Sequence, residues 1–457
     1  MISSAETSSQ KPRSRWADRW SERLVRRHLQ TLSYGSLTVH SGETSSTYGQ
    51  TPELHAQIYV HHPRLFSRAI MGGRLSVAES YLQGDWDCSD LTSLFRIFLK
   101  NQKIGERFDR GLARLNELGH RVYHAWHANT RQGSRRNISA HYDLGNDFYR
   151  LWLDDTLAYS SGIFARPDFS LRDASLEKFD RVCRKLDLQE DDELIEIGTG
   201  WGGFALHAAK NYDCRVTTTT ISREQHAAAR ERFERSGLQD QINLLQKDYR
   251  DLSGQFDKLA SIEMIEAVGH RNFDRYFKIC SQLLRPEGSM VLQAIVMPEA
   301  RYQSYLNSVD FIQRYVFPGG CLPSVGAMLE SSGRTGDLRF VHAEDFAPHY
   351  AETLRRWRRS FFEELPRIRE LGYPETLLRL WNYYLCYCEA AFEERSVGVV
   401  QIQFDKPGCR RDPLVLSEWS ARSHSVRTTT IIEERKLLDL EQNHERGDDA
   451  RPVTVRN

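Results

Sequence analysis

The chain lacks most of what would mark a membrane-spanning, secreted or nucleic-acid-binding protein. No apolar run approaches the roughly 20 residues that cross a bilayer, and no signal-peptide core follows the N-terminus, so a cytoplasmic protein is expected. The eight cysteines form no C-x-x-C pair and no zinc spacing, and Cys386 and Cys388 stand a single residue apart. Reduced thiols and no metal centre are the expectation. An excess of one charge is also missing: 62 Lys plus Arg face 62 Asp plus Glu, which removes the electrostatic case for a nucleic-acid partner. Internal repeats and low-complexity tracts are absent. What remains is a chain of 457 residues, 40% hydrophobic and 27% charged, which is globular and longer than one core usually holds.

Its most informative stretch is Glu196-Ile197-Gly198-Thr199-Gly200-Trp201-Gly202-Gly203. A short apolar run, Leu194 to Ile197, precedes it, and a helix-like pattern from Phe204 to Ala209 follows. Strand, glycine turn and helix in that order make a nucleotide-binding corner, where glycines admit a close ligand and the helix start offers unpaired N–H groups. The motif alone is shared by dehydrogenases and methyltransferases. A dehydrogenase would place an acid about 20 residues on to hold the ribose. This chain ends its second strand with Thr217-Thr218-Thr219-Thr220 and then Ile221-Ser222-Arg223-Glu224-Gln225, which points to S-adenosylmethionine. Ser222 and Gln225 also match a capping box, so part of that segment's meaning is structural.

Strands and helices alternate over Glu193–Ile197, Gly203–Asn211, Arg215–Thr220, Ser222–Ser236, Ile242–Gln246, Lys258–Ile262, Phe273–Leu284 and Met290–Val296. This predicts an α/β fold, a doubly wound Rossmann-like sheet with its ligand at the carboxyl ends of the strands. Residues 297 to 330 read as an inserted helical segment, and Val397–Phe404 as the last strand. The expected domains are 1–130, a smaller α+β unit, 131–420, the methyltransferase, and 421–457, a charged tail. Within the first, residues 11–28 carry Trp16, Trp20 and Leu24 on one helical face amid seven basic residues. Such a helix suits an anionic membrane surface, or equally a surface helix with a solvated basic face. Ser41 to Thr51 reads as a loop, and Leu54 to Lys100 as an alternating, then helical, segment. The cluster Arg355-Arg356-Trp357-Arg358-Arg359 reads as a solvated helix face or a headgroup site.

Several longer motifs agree in order with one family. Gly72-Gly73-x-Leu75, Glu79-x-Tyr81-x-x-Gly84-x-Trp86, His141 through Tyr149, Tyr159-Ser160-Ser161-Gly162, the Gly198–Gly203 loop, Met264-Ile265-Glu266-Ala267-Val268-Gly269 and Tyr315 through Pro323 resemble the cyclopropane-fatty-acyl-phospholipid synthases. The second domain is similar to the mycolic acid cyclopropane synthases as well. The resemblance implies methylene transfer from S-adenosylmethionine to the double bond of an unsaturated acyl chain in a membrane phospholipid, through a carbocation. It further implies peripheral contact with the inner face of the membrane and a first domain for lipid interaction and dimerisation. It places cofactor contacts on Tyr159, Ser160, Glu196, Gly198, Thr199, Gly200, Trp201, Gly202, Thr220, Ser222, Gln225, Asp248 and Tyr249.

The chemistry sets further demands. An isolated alkene is a poor nucleophile and must be pressed against the sulfonium methyl in a dry pocket. Aromatic faces stabilise the resulting cation without trapping it; Tyr315, Trp201 and Tyr142 are the candidates. Ring closure then needs a base. The resemblance implies a bicarbonate held by a Cys, a Glu, a His, a backbone group and a Tyr. Glu266, Ile295 and Tyr315 stand at three of these positions, while Ser161 replaces the cysteine and Gln293 the histidine. Glu266 follows the mostly apolar run Leu259 to Ile265, where a buried carboxylate is costly unless paired or liganded. A second family cysteine corresponds to Cys388, a small buried thiol by its surroundings in the sequence, and His141 to the rim of the cofactor pocket. Slower deprotonation at a changed base site would allow a methylene- or methyl-branched product. A catalytically inactive lipid-binding protein is the alternative outside enzymology.

Overall fold

The computed structural model describes residues 15–51, 53–102, 104 and 145–410. His141, Tyr142, the side chain of Trp16, the segment Asn129–Asn137 and the tail 421–457 lie outside the described residues.

Near the N-terminus, helix α1 (Arg15–Leu29) leads into strands β1 (Ser36–Ser41), β2 (Thr44–Tyr48) and β3 (His55–Val60), helix α2 (Arg64–Leu82), strand β4 (Trp86–Cys88) and helix α3 (Leu91–Lys100). The strands form a four-stranded sheet in the order β2-β1-β3-β4, with β1 and β3 parallel and the other pairs antiparallel. The expected loop Ser41–Thr51 therefore contains a strand. Its Ser and Thr side chains line an exposed edge, where polar β-branched residues suit a pleated surface. Helix α1 packs through Ser21, Val25 and Leu29, which are buried, and leaves Trp20 52% exposed. The apolar stripe read from the tryptophans is therefore not the face that packs.

Helix α2 is kinked at Gly73, whose φ of 61° and ψ of −153° no helix accommodates. Past the kink, the Glu79–Trp86 motif turns the chain: buried Asp85 accepts from Arg64 and, at 2.7 Å, from Ser80, and Trp86 Nε1 donates to the Val77 carbonyl at 3.2 Å.

The larger part is the expected doubly wound sheet. Helices α4 (Asn146–Trp152) and α5 (Leu171–Leu186) precede β5 (Glu193–Ile197), α6 (Gly203–Tyr212), β6 (Arg215–Thr219), α7 (Arg223–Arg235), β7 (Ile242–Leu245), β8 (Phe256–Ile262), α8 (Phe273–Leu283) and β9 (Leu284–Val296). Then come α9 (Glu299–Leu306), a π-helical turn (Ile312–Val316), α10 (Val325–Thr335), β10 (Arg339–Asp345), α11 (Ala347–Glu363), α12 (Leu365–Glu370), α13 (Glu375–Glu393) and β11 (Gly398–Asp405). The seven strands run β10-β11-β9-β8-β5-β6-β7, parallel except for the antiparallel pairs of β11 with β9 and with β10. Strand order reverses between β5 and β8, and the crevice outside their carboxyl ends is where such folds bind ligands. Strand β10 was not expected from the sequence. It is the sheet's edge, with Phe340 and Val341 about half exposed, so no buried alternation announces it.

The chain through Cys409 forms one compact unit. Within it, α13 joins the N-terminal elements to the sheet-bearing part: Arg379 donates to the carbonyls of Tyr81 (2.6 Å) and Trp86 (2.8 Å), and Thr92 donates to Glu389 at 3.1 Å.

Candidate active site

Strand β5 delivers the glycine loop to the crevice. Gly198, Gly200 and Gly202 have φ of 109°, 52° and 86°. At Gly202 a β-carbon would lie 2.6 Å from the Phe233 ring, so both the backbone and the space demand glycine. Arg232 clamps the same turn from behind, donating to the carbonyls of Trp201 (2.8 Å), Thr156 (2.9 Å) and Asp155 (3.0 Å).

Around the loop stand the other expected cofactor residues. Trp201 Nε1 donates to Asn146 at 2.7 Å, and its ring packs on Tyr149. Ser222 caps α7 by accepting from the Gln225 N–H at 3.2 Å, as the capping box predicts. Thr220 donates to Gln225 Oε1 at 2.9 Å, which leaves the Gln225 amide N–H groups as donors toward the cavity. Asp248 is held by Arg250, Tyr249 lines the cavity beside it, and Tyr159 donates to the Tyr384 hydroxyl at 3.0 Å. Ser160 accepts from the fully buried Lys178. Burial pushes the Lys178 ammonium down to about 8, against the pull of Glu263, Asp154 and Glu196. Burial pushes Glu196 up to about 8 even though Thr218 donates to it at 2.6 Å. The glycine-opened backbone, the Gln225 amide and the carboxyls of Glu196 and Asp248 together offer hydrogen-bond donors and acceptors that fit an adenosyl sulfonium.

One cavity of about 1040 Å³ begins at this loop. It passes Glu263, Glu266 and Ile295 and continues between apolar side chains of the N-terminal elements, among them Leu37, Phe66, Leu94 and Phe98. Tyr350, Tyr384, Tyr387, Phe317 and Cys388 line it.

Glu266 lines this cavity. Its Oε1 accepts from the Ile295 N–H at 2.6 Å, whereas Oε2 has no partner among the described residues. Burial, and then the charge of Glu263, push its carboxyl up to about 8. Glu263 was not foreseen, and it gathers the residues that were. Its Oε1 accepts from the Ser161 N–H (3.0 Å) and from Gln293 Nε2 (2.7 Å), and its Oε2 accepts from the Tyr350 hydroxyl (2.7 Å). Burial raises its carboxyl as well, opposed by these donors and by Lys178. Ser161 and Gln293 thus meet at one carboxylate with the backbone N–H of one and the amide of the other; the Ser161 hydroxyl donates to the Gly162 carbonyl. Tyr315 is placed elsewhere: its hydroxyl donates to Glu79 and its ring packs on Phe311. Burial pushes the thiol of Cys388 far up, which disfavours its thiolate form. The Arg355–Arg359 cluster is largely spent on carboxylates, with Arg355 and Arg356 on Glu352 and Arg358 near Glu389.

Two signals for the missed residues were available. Glu263 ends the apolar strand Leu259–Ile262 three positions before Glu266, an acid pair where a strand meets its ligand. Lys178 interrupts the stripe Ala174, Val182 at helical spacing, so it had to be buried. Nothing in the sequence near Tyr350 announces it.

The profile of the family described as mycolic acid cyclopropane synthetase matches residues 129–402. A tuberculostearic acid methyltransferase of Mycobacterium tuberculosis is 35% identical over 83% of this chain and 89% of its own length. The cyclopropane-fatty-acyl-phospholipid synthase of Escherichia coli is 36% identical over 77% and 88%. Among solved structures, a cyclopropane synthase from Mycobacterium tuberculosis has a TM-score of 0.56 at 28% identity, covering 60% of this chain and 98% of that one. A mycolic acid cyclopropane synthase complexed with SAH and CTAB gives 0.55 at 28% identity over the same shares. The fold is that of the class I S-adenosylmethionine methyltransferases.

Proposed function

This chain belongs to the mycolic acid cyclopropane synthetase family, and from that premise we propose that it methylates the double bond of an unsaturated acyl chain carried on a membrane phospholipid. The observation that carries this reading is one cavity that joins the glycine loop, two carboxyls and a long apolar extension. S-adenosylmethionine, when bound, supplies the electrophilic methyl group. The chain's own residues do the rest. The glycine loop with Thr220 and Gln225 orients the donor, and the apolar walls hold the alkene against it and keep water out. As the carbon–sulfur bond breaks and the new carbon–carbon bond forms, positive charge develops on the acyl chain. The faces of Tyr350, Tyr384, Tyr387 and Phe317 disperse that charge without a nucleophile. The Glu263–Glu266 pair then receives the proton lost from the transferred methyl group, whose C–H electrons close a cyclopropane ring.

A second reading has its own support. Ser161 and Gln293 stand where the family resemblance places cysteine and histidine, and a relative at 35% identity is named a methyltransferase rather than a cyclopropane synthase. A hydride shift before deprotonation would then give a methylene branch, or a methyl-branched alkene. Peripheral docking at the inner membrane face is supported by exposed Trp20 amid exposed Arg19, Arg23 and Arg27. Among the described residues no helix is long and apolar enough to cross a membrane. Gas chromatography–mass spectrometry of fatty acids from cells fed labelled methionine, with and without the protein, tests the proposal. Labelled cyclopropane acids support the first reading and labelled branched acids the second. No labelled lipid refutes both.

A further inference from the structure

Four elements converge on one carboxylate. The Ser161 N–H comes from the loop after Tyr159, Gln293 from β9, Tyr350 from α11, and Glu263 itself stands just past the end of β8. The Gln293 amide cannot turn away, because its Oε1 accepts from Gln401 Nε2 at 3.0 Å and Gln401 in turn accepts from Lys185 at 2.8 Å. That chain fixes the Gln293 N–H toward Glu263. The backbone of Glu263 is held at φ 51°, a conformation that a glutamate adopts only under constraint, with its N–H donating to the Gln293 carbonyl at 2.8 Å.

Among the described residues, the groups that the family resemblance would offer to bicarbonate are already engaged: the Gln293 amide with Glu263, the Ile295 N–H with Glu266, the Ser161 hydroxyl with the Gly162 carbonyl and the Tyr315 hydroxyl with Glu79. The Ser161 N–H and the Tyr350 hydroxyl are taken by Glu263 as well. A free anion would have to settle in the cavity beside two carboxyls and displace one of them, at a cost in like-charge repulsion and desolvation. Bicarbonate does not fit this site. We propose that Glu263 is a built-in replacement for it: the chain supplies its own anion, and the enzyme needs no bicarbonate. The proposal rests on the reaction read above. In that reaction the C–H bond of the transferred methyl breaks, its electron pair becomes the new carbon–carbon bond, and the proton goes to the Glu263 carboxylate.

The test uses the full chain with S-adenosylmethionine carrying a labelled methyl group, vesicles of monounsaturated phospholipid, and buffer either freed of carbon dioxide or supplemented with bicarbonate. The wild-type rate is expected to be the same in both buffers within about twofold. Glu263→Gly suits the positive φ and leaves an anion-sized space; it is expected to lose about a hundredfold in rate, the usual worth of a positioned base. Bicarbonate or formate should restore at least about tenfold of that loss, a rescue that a merely structural glutamate would not give. Carbon-13 NMR of labelled bicarbonate gives a readout without turnover: line broadening is expected with Glu263→Gly and not with the wild type. A wild-type rate that collapses without bicarbonate overturns the proposal, as does bicarbonate binding by the wild type or full activity of Glu263→Gly. If no methyl reaches lipid in either buffer, the reaction reading fails on its own, and the NMR result still decides whether the site takes the anion.

Discussion

Tyr350→Phe removes one oxygen and little else, which makes it the sharpest probe of the carboxyl pair. The hydroxyl donates to Glu263 Oε2 at 2.7 Å, while the ring stacks on Phe392 with centroids 4.4 Å apart and survives the change. A hydrogen bond to a charged group is worth about 1.5–3 kcal/mol, and its loss disfavours the ionised form of Glu263 by that amount. Burial already raises Glu263, so the sign is fixed: the variant needs a higher pH to ionise the base. At about 1.4 kcal/mol per pH unit, the acid limb of kcat/KM moves upward by roughly 1 to 2 units, while the plateau at high pH changes little. Because the two carboxyls interact, the limb belongs to the pair. The assay is methyl transfer into vesicle lipid across the pH range, with near-ultraviolet circular dichroism to show that the fold is intact. An acid limb that stays in place in a folded variant would refute the assignment of Glu263 as base.

Other expectations follow from the same geometry. Glu266 has its folded value raised to about 8 from an ordinary 4.5, so its proton-linked stabilisation is full below about 4.5 and gone once the pH has risen through about 8. Urea midpoints between neutral and mildly alkaline pH should fall more steeply for wild type than for Glu266→Gln. Gly202→Ala meets the Phe233 ring and a φ of 86°, so melting should drop by several degrees and S-adenosylhomocysteine affinity with it; Gly200→Ala, with nothing within 4 Å, should cost much less. Trp20→Ala should weaken co-sedimentation with anionic vesicles by roughly fivefold, about 1 kcal/mol of half-buried indole, with soluble-state stability unchanged. Equal binding by the variant would return α1 to the role of an ordinary surface helix.

Much of the sheet was legible because its strands are buried on both faces and read as apolar runs between turns, as Leu194–Ile197 and Leu259–Ile262 do. The glycine loop was legible because a positive φ leaves few alternatives to glycine. Strand β10 was not, since an edge strand with exposed residues carries no alternation, and β2 was hidden by side chains that equally suit a loop. The base site was half legible. Glu266, Ser161 and Gln293 could be named from motifs, but their meeting point could not, because the residue that joins them answers to Tyr350 far along the chain. Motif reading finds residues that sit in the loops of a shared framework; it misses a partner delivered by a helix with no pattern of its own.

Helix α13 does two jobs along its length. Arg379 near its start grips the backbone of Tyr81 and Trp86, and over the next two turns and more Tyr383, Tyr384, Tyr387 and Cys388 face the cavity. The wall of the reaction chamber and the seam to the N-terminal elements are therefore one rigid rod. Cutting away the first hundred residues would not yield a smaller working catalyst, because it would strip the rod of its anchorage and open one side of the chamber to water. Conversely, a shift of the N-terminal elements would be passed along the same helix, through the Arg379 and Glu389 contacts, to the aromatic rings that line the cavity.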